Sequence, residues 1–149
     1  MKGKHQLPPT YLALGLLGMG LFHFLFSGPR LVGFPWRFLG VPVVVLGAAL
    51  TISSDQLFKT LGTEVKPFQE SSLVVTEGPY GFCRHPMYLG FMWIFGGFAV
   101  LAGTLVPLLL VPVMFWLFSV HFVIPEERHM EIQFGAEYEQ YRSRVRRWL

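Results

Sequence analysis

The chain has 149 residues, of which 52% are hydrophobic and only 14% charged, with a formal net charge of +3. A water-soluble domain carries about 25% charged residues, so a mean hydropathy of +0.48 points to an all-α, polytopic membrane protein of a single domain, 1–149. One cysteine, Cys83, excludes an internal disulfide framework and a zinc site built on cysteines.

A polar arm, 1–9, precedes the first apolar span, 10–26. Gly15, Gly18 and Gly20 in this span are expected to permit close helix approach, and His23 to hydrogen-bond a neighbouring helix. A turn marked by Gly28-Pro29 and Phe34-Pro35-Trp36 follows. The second span covers 37–54, with Trp36 and Arg37 as an interface anchor. Residues 55–86 form the longest non-apolar stretch and read as a cytosolic loop that roofs a site. Spans three and four, 87–102 and 104–124, are joined by little more than Gly103, which makes them a tight antiparallel hairpin. Pro107 and Pro112 are expected to kink the fourth. Pro125 then begins or bends a last helix, 126–147. There Met130, Phe134, Tyr138, Tyr141, Val145 and Trp148 make one amphipathic stripe, suited to the bilayer surface.

With four spans, Lys2, Lys4, Lys59, Lys66, Arg84, Arg128, Arg142, Arg144, Arg146 and Arg147 share one side, against Arg30 and Arg37 on the other. This asymmetry predicts an integral membrane protein with both termini cytoplasmic, in a prokaryotic inner membrane. The basicity reads as topology, so no nucleic-acid partner is expected, and no obligate protein partner is evident.

The chemistry concentrates in residues 78–90: Gly-Pro-Tyr, then Cys83, then Arg84-His85-Pro86-Met87-Tyr88-Leu89-Gly90. Charge beside a bilayer is costly without a partner or a task. Arg84 offers a fork of donors and His85 a titratable ring. Pro86 disfavours helix at His85 and suits the first turn of a helix that follows. The hairpin brings this pair to the same membrane face as Glu126-Glu127. Two adjacent carboxylates point to different sides of a helix, and which one faces inward is open.

Arg-His-Pro-x-Tyr-x-Gly after Gly-Pro-Tyr, followed by the paired glutamates and Phe134-Gly135-x-Glu137-Tyr138-x-x-Tyr141-x-x-x-Val145, resembles the integral-membrane methyltransferases of the isoprenylcysteine carboxyl methyltransferase and phospholipid N-methyltransferase group. The resemblance covers about residues 57–145. It implies S-adenosylmethionine as cofactor, held by Ser72, Leu73, Val74, Val75, Tyr80, His85, Pro86, Met87, Tyr88 and Glu126. Arg84, His85 and Glu127 are the catalytic candidates. Methyl transfer needs in-line placement and exclusion of water; an amine acceptor would also need a base, with His85, His121 or Glu127 as candidates.

The chain departs from isoprenylcysteine methyltransferases at Val120-His121-Phe122-Val123, which lacks the arginine those enzymes place shortly before the paired glutamates. The expected acceptor is therefore a lipid or lipophilic small molecule of open head-group chemistry. It would arrive sideways from the bilayer past Phe91, Trp93, Phe95, Met114, Phe115 and Trp116. Two alternatives are an NADPH-dependent enzyme similar to membrane sterol reductases and a non-catalytic membrane protein. The first is weakened because Gly90 is followed by Phe91 and not by an acidic residue. No metal is expected, although His121, Glu126 and His129 have the right ligand types.

Overall fold

The computed structural model describes residues 8–26, 28–61 and 74–149. Among these the protein is all-helical: α1 Pro8–Phe26, α2 Gly40–Thr60, α3 Pro86–Ala102, α4 Leu105–Phe118, α5 Ile124–Phe134 and α6 Ala136–Arg144. Short 3₁₀ turns at Trp36–Leu39 and Gly78–Gly81 precede α2 and α3. Three continuous helices are long and apolar enough to cross a membrane: Pro8–Phe26, Trp36–Thr60 and Leu105–Phe134. Helix α3 is apolar but shorter, at 17 residues.

The shorter helix is the central one. Helix α2 packs on one side of α3, and α1 and α4 on the other. The main core lies between α1, α3 and α4, where Met19, Phe91, Phe95, Ala99, Phe118, Phe122 and Val123 are buried. Two residues expected to line an acceptor path, Phe91 and Phe95, are thus interior packing groups, 1% and 0% exposed.

Helices α2 and α3 meet backbone to backbone. A Cβ on Gly47 would lie 2.6 Å from the Gly90 carbonyl oxygen, and one on Gly97 would lie 2.7 Å from that of Gly40. Gly15 does abut Phe95 and Met114, but a Cβ on Gly18 would meet nothing within 4 Å. The close approach expected of the first span's glycines is therefore made chiefly by Gly40, Gly47, Gly90 and Gly97.

The fourth span and the last helix are not separate elements. Helix α4 passes through a π turn, Ser119–Val123, directly into α5. Pro125 explains the turn: it has no N–H for the His121 carbonyl, and its ring crowds that group. Thirty residues at about 1.5 Å each give about 45 Å, beyond a hydrocarbon core of about 30 Å. Glu126 and Glu127 lie in the last third of this length. The expected continuous helix over 126–147 is broken at Gly135, whose φ of +49° and ψ of −118° lie outside the helical region and suit glycine. Beyond it, Tyr138 and Tyr141 are buried with Val74, and Met130, Phe134 and Val145 pack around them. Trp148 joins the main core instead. Helix α2 also runs to Thr60, six residues past its expected end, so the connector is shorter than 55–86 suggests.

Candidate active site

Pro86 starts α3, and His85 sits before it with φ −127° and ψ 56°, outside helical geometry as the residue preceding a proline should be. Its ring points across to α5. The His85 Nε2 donates to Glu127 Oε1 at 3.1 Å, with both side chains buried. Arg84 Nη1 lies 3.3 Å from the same oxygen and 3.4 Å from the Tyr138 hydroxyl. Arg147 adds Nε to Oε1 at 3.0 Å and Nη2 to Oε2 at 2.6 Å. One carboxylate from α5 therefore gathers four donor contacts from three residues. The Glu127 bond in turn holds the Arg147 guanidinium above its ordinary pKa.

Backbone contacts fix this arrangement. The Arg84 amide donates to the Arg146 carbonyl at 2.9 Å, and the Cys83 thiol donates to the Arg147 carbonyl at 3.3 Å. The Tyr141 hydroxyl donates to the Tyr80 carbonyl at 2.7 Å. The C-terminal segment thus closes over the 78–85 turn. Burial pushes the Cys83 thiol pKa up, which suits a structural donor and not a nucleophile.

Glu126 is placed differently. Its Oε2 is buried and has no hydrogen-bond partner among the described residues. Tyr80 and Tyr88 both stand beside this carboxylate. Burial, with the Glu126 charge adding to it, pushes the Tyr80 hydroxyl well above its ordinary pKa. Arg84 Nε and His129 Nε2 are likewise buried without a partner. Glu126 and His129 are three residues apart on α5 and share a face. Buried polar atoms are normally paired, and these three have no partner among the described residues.

The structure therefore brings Tyr80, Tyr88 and Glu126 together, and beside them Arg84, His85 and Glu127. Pro86 is fully buried at the start of α3. Met87 packs against the main core. Val74 and Val75 are buried in the strand of chain leading to the turn. Ser72 and Leu73 lie outside the described residues. His121 is exposed, its Nδ1 donating to the Leu117 carbonyl at 2.9 Å, and His23 Nδ1 is 2.8 Å from Thr104 Oγ1. Sequence reading missed Arg147 and Trp148 as site residues. Arg147 looked like one more topological charge; the only hint was the lack of an arginine before the paired glutamates. Trp148 stands 6.1 Å from the His85 ring and 5.0 Å from that of Phe115.

Known proteins are similar to this chain in sequence. Protein-S-isoprenylcysteine O-methyltransferase of Schizosaccharomyces pombe is 40% identical over 74 residues, 49% of this chain and 31% of that protein. Its namesake in Saccharomyces cerevisiae is 32% identical over 109 residues, 72% of this chain and 46% of that protein. Protein-S-isoprenylcysteine O-methyltransferase B of Arabidopsis thaliana is 32% identical over 77 residues, 52% of this chain and 39% of that protein. The matches thus span between about a third and a half of these relatives' length. No solved structure matches. The phospholipid methyltransferase family model matches residues 36–137, from the turn before α2 through Arg84, His85, Glu126 and Glu127 but short of Tyr138 and Arg147. That is more than half of the chain, and the protein belongs to the phospholipid methyltransferase family.

Proposed function

We propose that the protein is an S-adenosylmethionine-dependent methyltransferase acting on a lipophilic acceptor at the membrane face where α3 begins. The observation that carries this reading is the split between two adjacent carboxylates: Glu127 is saturated with donors, while Glu126 keeps a buried oxygen unpaired beside two tyrosines. The methyltransferase names of the relatives agree with it.

The residues fit the cofactor. Its ammonium and ribose hydroxyl groups are donors, and the free Glu126 oxygen is an acceptor. Its sulfonium is a cation and Glu126 an anion; the Tyr88 ring is packed in the core against Phe91, Phe118 and Phe122, so it supports Glu126 from one side while Tyr80 stands at the other. When bound, S-adenosylmethionine supplies an electrophilic methyl group. Glu126 would orient it, and the buried 74–75 segment and Pro86 would keep water away. Glu127, holding Arg84, His85 and Arg147, acts as a positioning residue. It is held as an anion by Arg84 and Arg147, and its bond to His85 Nε2 leaves the ring's Nδ1 as the base for an acceptor that must lose a proton. An acceptor from the bilayer has a direct route: Phe115 is 41% exposed and touches Trp148, which covers His85.

Calorimetry in detergent tests the cofactor site. Glu126→Gln should weaken S-adenosylmethionine binding by about tenfold or more, as loss of a charge-assisted hydrogen bond of about 1.5–3 kcal/mol implies. Unchanged affinity in the folded variant would reject the assignment. Labelled-methyl transfer to a membrane lipid extract should give label in lipid; label only in water-soluble products would remove the lipophilic acceptor.

We further propose four spans, with α3 as the third, and both termini in the cytoplasm. Reporter fusions after Gly103 and at the C-terminus should then report opposite sides. The same side for both would reject this topology.

A further inference from the structure

At the other end of the bundle lies a cavity of about 270 Å³, lined by His23, Arg30, Gly33, Phe34, Arg37 and Thr104 among others. Its frame is pinned by main-chain bonds. Leu31 and Val32 amides donate to the Gly103 carbonyl at 2.9 and 3.1 Å, and the Leu105 amide donates to the Pro29 carbonyl at 3.1 Å. Gly103, at φ +69°, tolerates no side chain there, because a Cβ would collide with the Val32 carbonyl oxygen. The 28–35 turn is thus docked firmly on the α3–α4 connection.

Charge distinguishes this cavity. Residues 1–54 and 86–125 contain no Asp or Glu, so none of the elements that build the cavity carries an acid. Arg30 and Arg37 are also the only Lys or Arg in residues 5–54 and 86–125, and both line this cavity. Simple interfacial anchors need only reach water singly. Two arginines line this pocket with no carboxylate among the lining residues, and the Arg37 guanidinium also lies over the Phe38 ring, 5.8 Å from its centroid, which leaves a positive field that favours an external anion. Phe34, which lines it, is 82% exposed, and Phe26, Leu31, Trp36 and Phe38 are exposed apolar groups of the same region, a surface for acyl chains next to the charged pocket.

We propose that this cavity binds the phosphate of an anionic phospholipid, at the membrane face opposite the Glu126–Glu127 site. Arg30 and Arg37 clamp the phosphate oxygens, and Thr104 and His23, joined by the 2.8 Å bond between Oγ1 and Nδ1, line the same cavity. The volume holds a phosphate and its nearest ester groups, and is below the about 300–1,000 Å³ of a drug-sized site. The lipid tails remain in the bilayer against Phe34 and Trp36.

Native mass spectrometry of the full chain, released from neutral detergent, tests this with short-chain phosphatidylglycerol as probe. The unmodified chain should retain phosphatidylglycerol in preference to phosphatidylcholine. Arg30→Gln/Arg37→Gln should weaken that binding by about tenfold or more. Arg144→Gln/Arg146→Gln, which removes charge from the opposite end, should leave it unchanged. Gly33→Asp is the second probe of the pocket: a Cβ at Gly33 meets nothing within 4 Å, so the new carboxylate enters open space and should repel the lipid. Full retention in both pocket variants, or loss only in Arg144→Gln/Arg146→Gln, overturns the proposal. Displacement of the lipid by equimolar inorganic phosphate would overturn the lipid assignment and make free phosphate the ligand. Methyl transfer in the pocket variants should persist, which separates this site from the active site.

Discussion

Glu127→Ala should abolish methyl transfer and destabilise the protein, whereas Glu126→Gln should weaken cofactor binding by about tenfold or more and leave the fold's stability unchanged. The difference follows from what each carboxylate holds. Glu127 is 5% exposed, and its removal strands Arg84, whose side chain is 7% exposed. Breaking a buried ion pair by deleting one partner costs about 3–5 kcal/mol, because the remaining charge stays desolvated. His85 loses its anchor at the same time, so its ring is no longer held toward α5. Arg147→Ala is the intermediate case. That side chain is 41% exposed, and Glu127 keeps Arg84 and His85 without it, so the loss should be about 1 kcal/mol. Unfolding midpoints in detergent, read with S-adenosylmethionine affinity, separate the three variants. A Glu127→Ala protein as stable as the unmodified one would remove the central role given to this residue.

The site was more legible in the sequence than the path of the chain through it. Arg84 and His85 announce themselves because charge and proline stand together at the mouth of an apolar run. A short hairpin connection then brings them to the glutamates. What the residue pattern could not give was the rotation of α5. The π turn at Ser119–Val123 inserts one residue, about 100° of rotation at 3.6 residues per turn, and so decides which of two neighbouring glutamates faces His85. The break at Gly135 could not be read from the sequence, because a helix tolerates one glycine for about 1 kcal/mol. Arg147 was hidden by its company: three further arginines within the last eight residues made it look like part of a solvated cluster. Its role depends on the C-terminal segment folding back to residues 83–84, and that contact is set by tertiary packing.

Gly47→Val and Gly90→Val should each prevent α2 from docking on α3. Gly40 faces Gly97 and Gly47 faces Gly90, so the pairs recur every seven residues along two antiparallel helices, the repeat of a left-handed crossing. A Cβ on Gly90 would lie 2.6 Å from the Gly47 carbonyl oxygen and 3.1 Å from the Thr51 amide nitrogen, and would collide with Thr51 Oγ1. The first two obstacles are backbone, which no rotamer change can move aside. Ordinary overpacking costs about 1–3 kcal/mol when side chains can yield; here the helices themselves must separate, and the whole interface goes with them. Gly90 also closes the Arg-His-Pro-x-Tyr-x-Gly motif, so its place in the motif is explained by packing and not by contact with a ligand. Since α3 carries His85 and Tyr88 at its start, separation of the helices would disperse the site as well. Gly96→Val is the matched control on the same helix, because a Cβ there meets nothing within 4 Å. The Gly47 and Gly90 variants should show no cooperative unfolding transition and no S-adenosylmethionine binding, while the Gly96 variant keeps both. Equal behaviour of Gly90→Val and Gly96→Val would show that the glycine contacts do not hold α2 against α3.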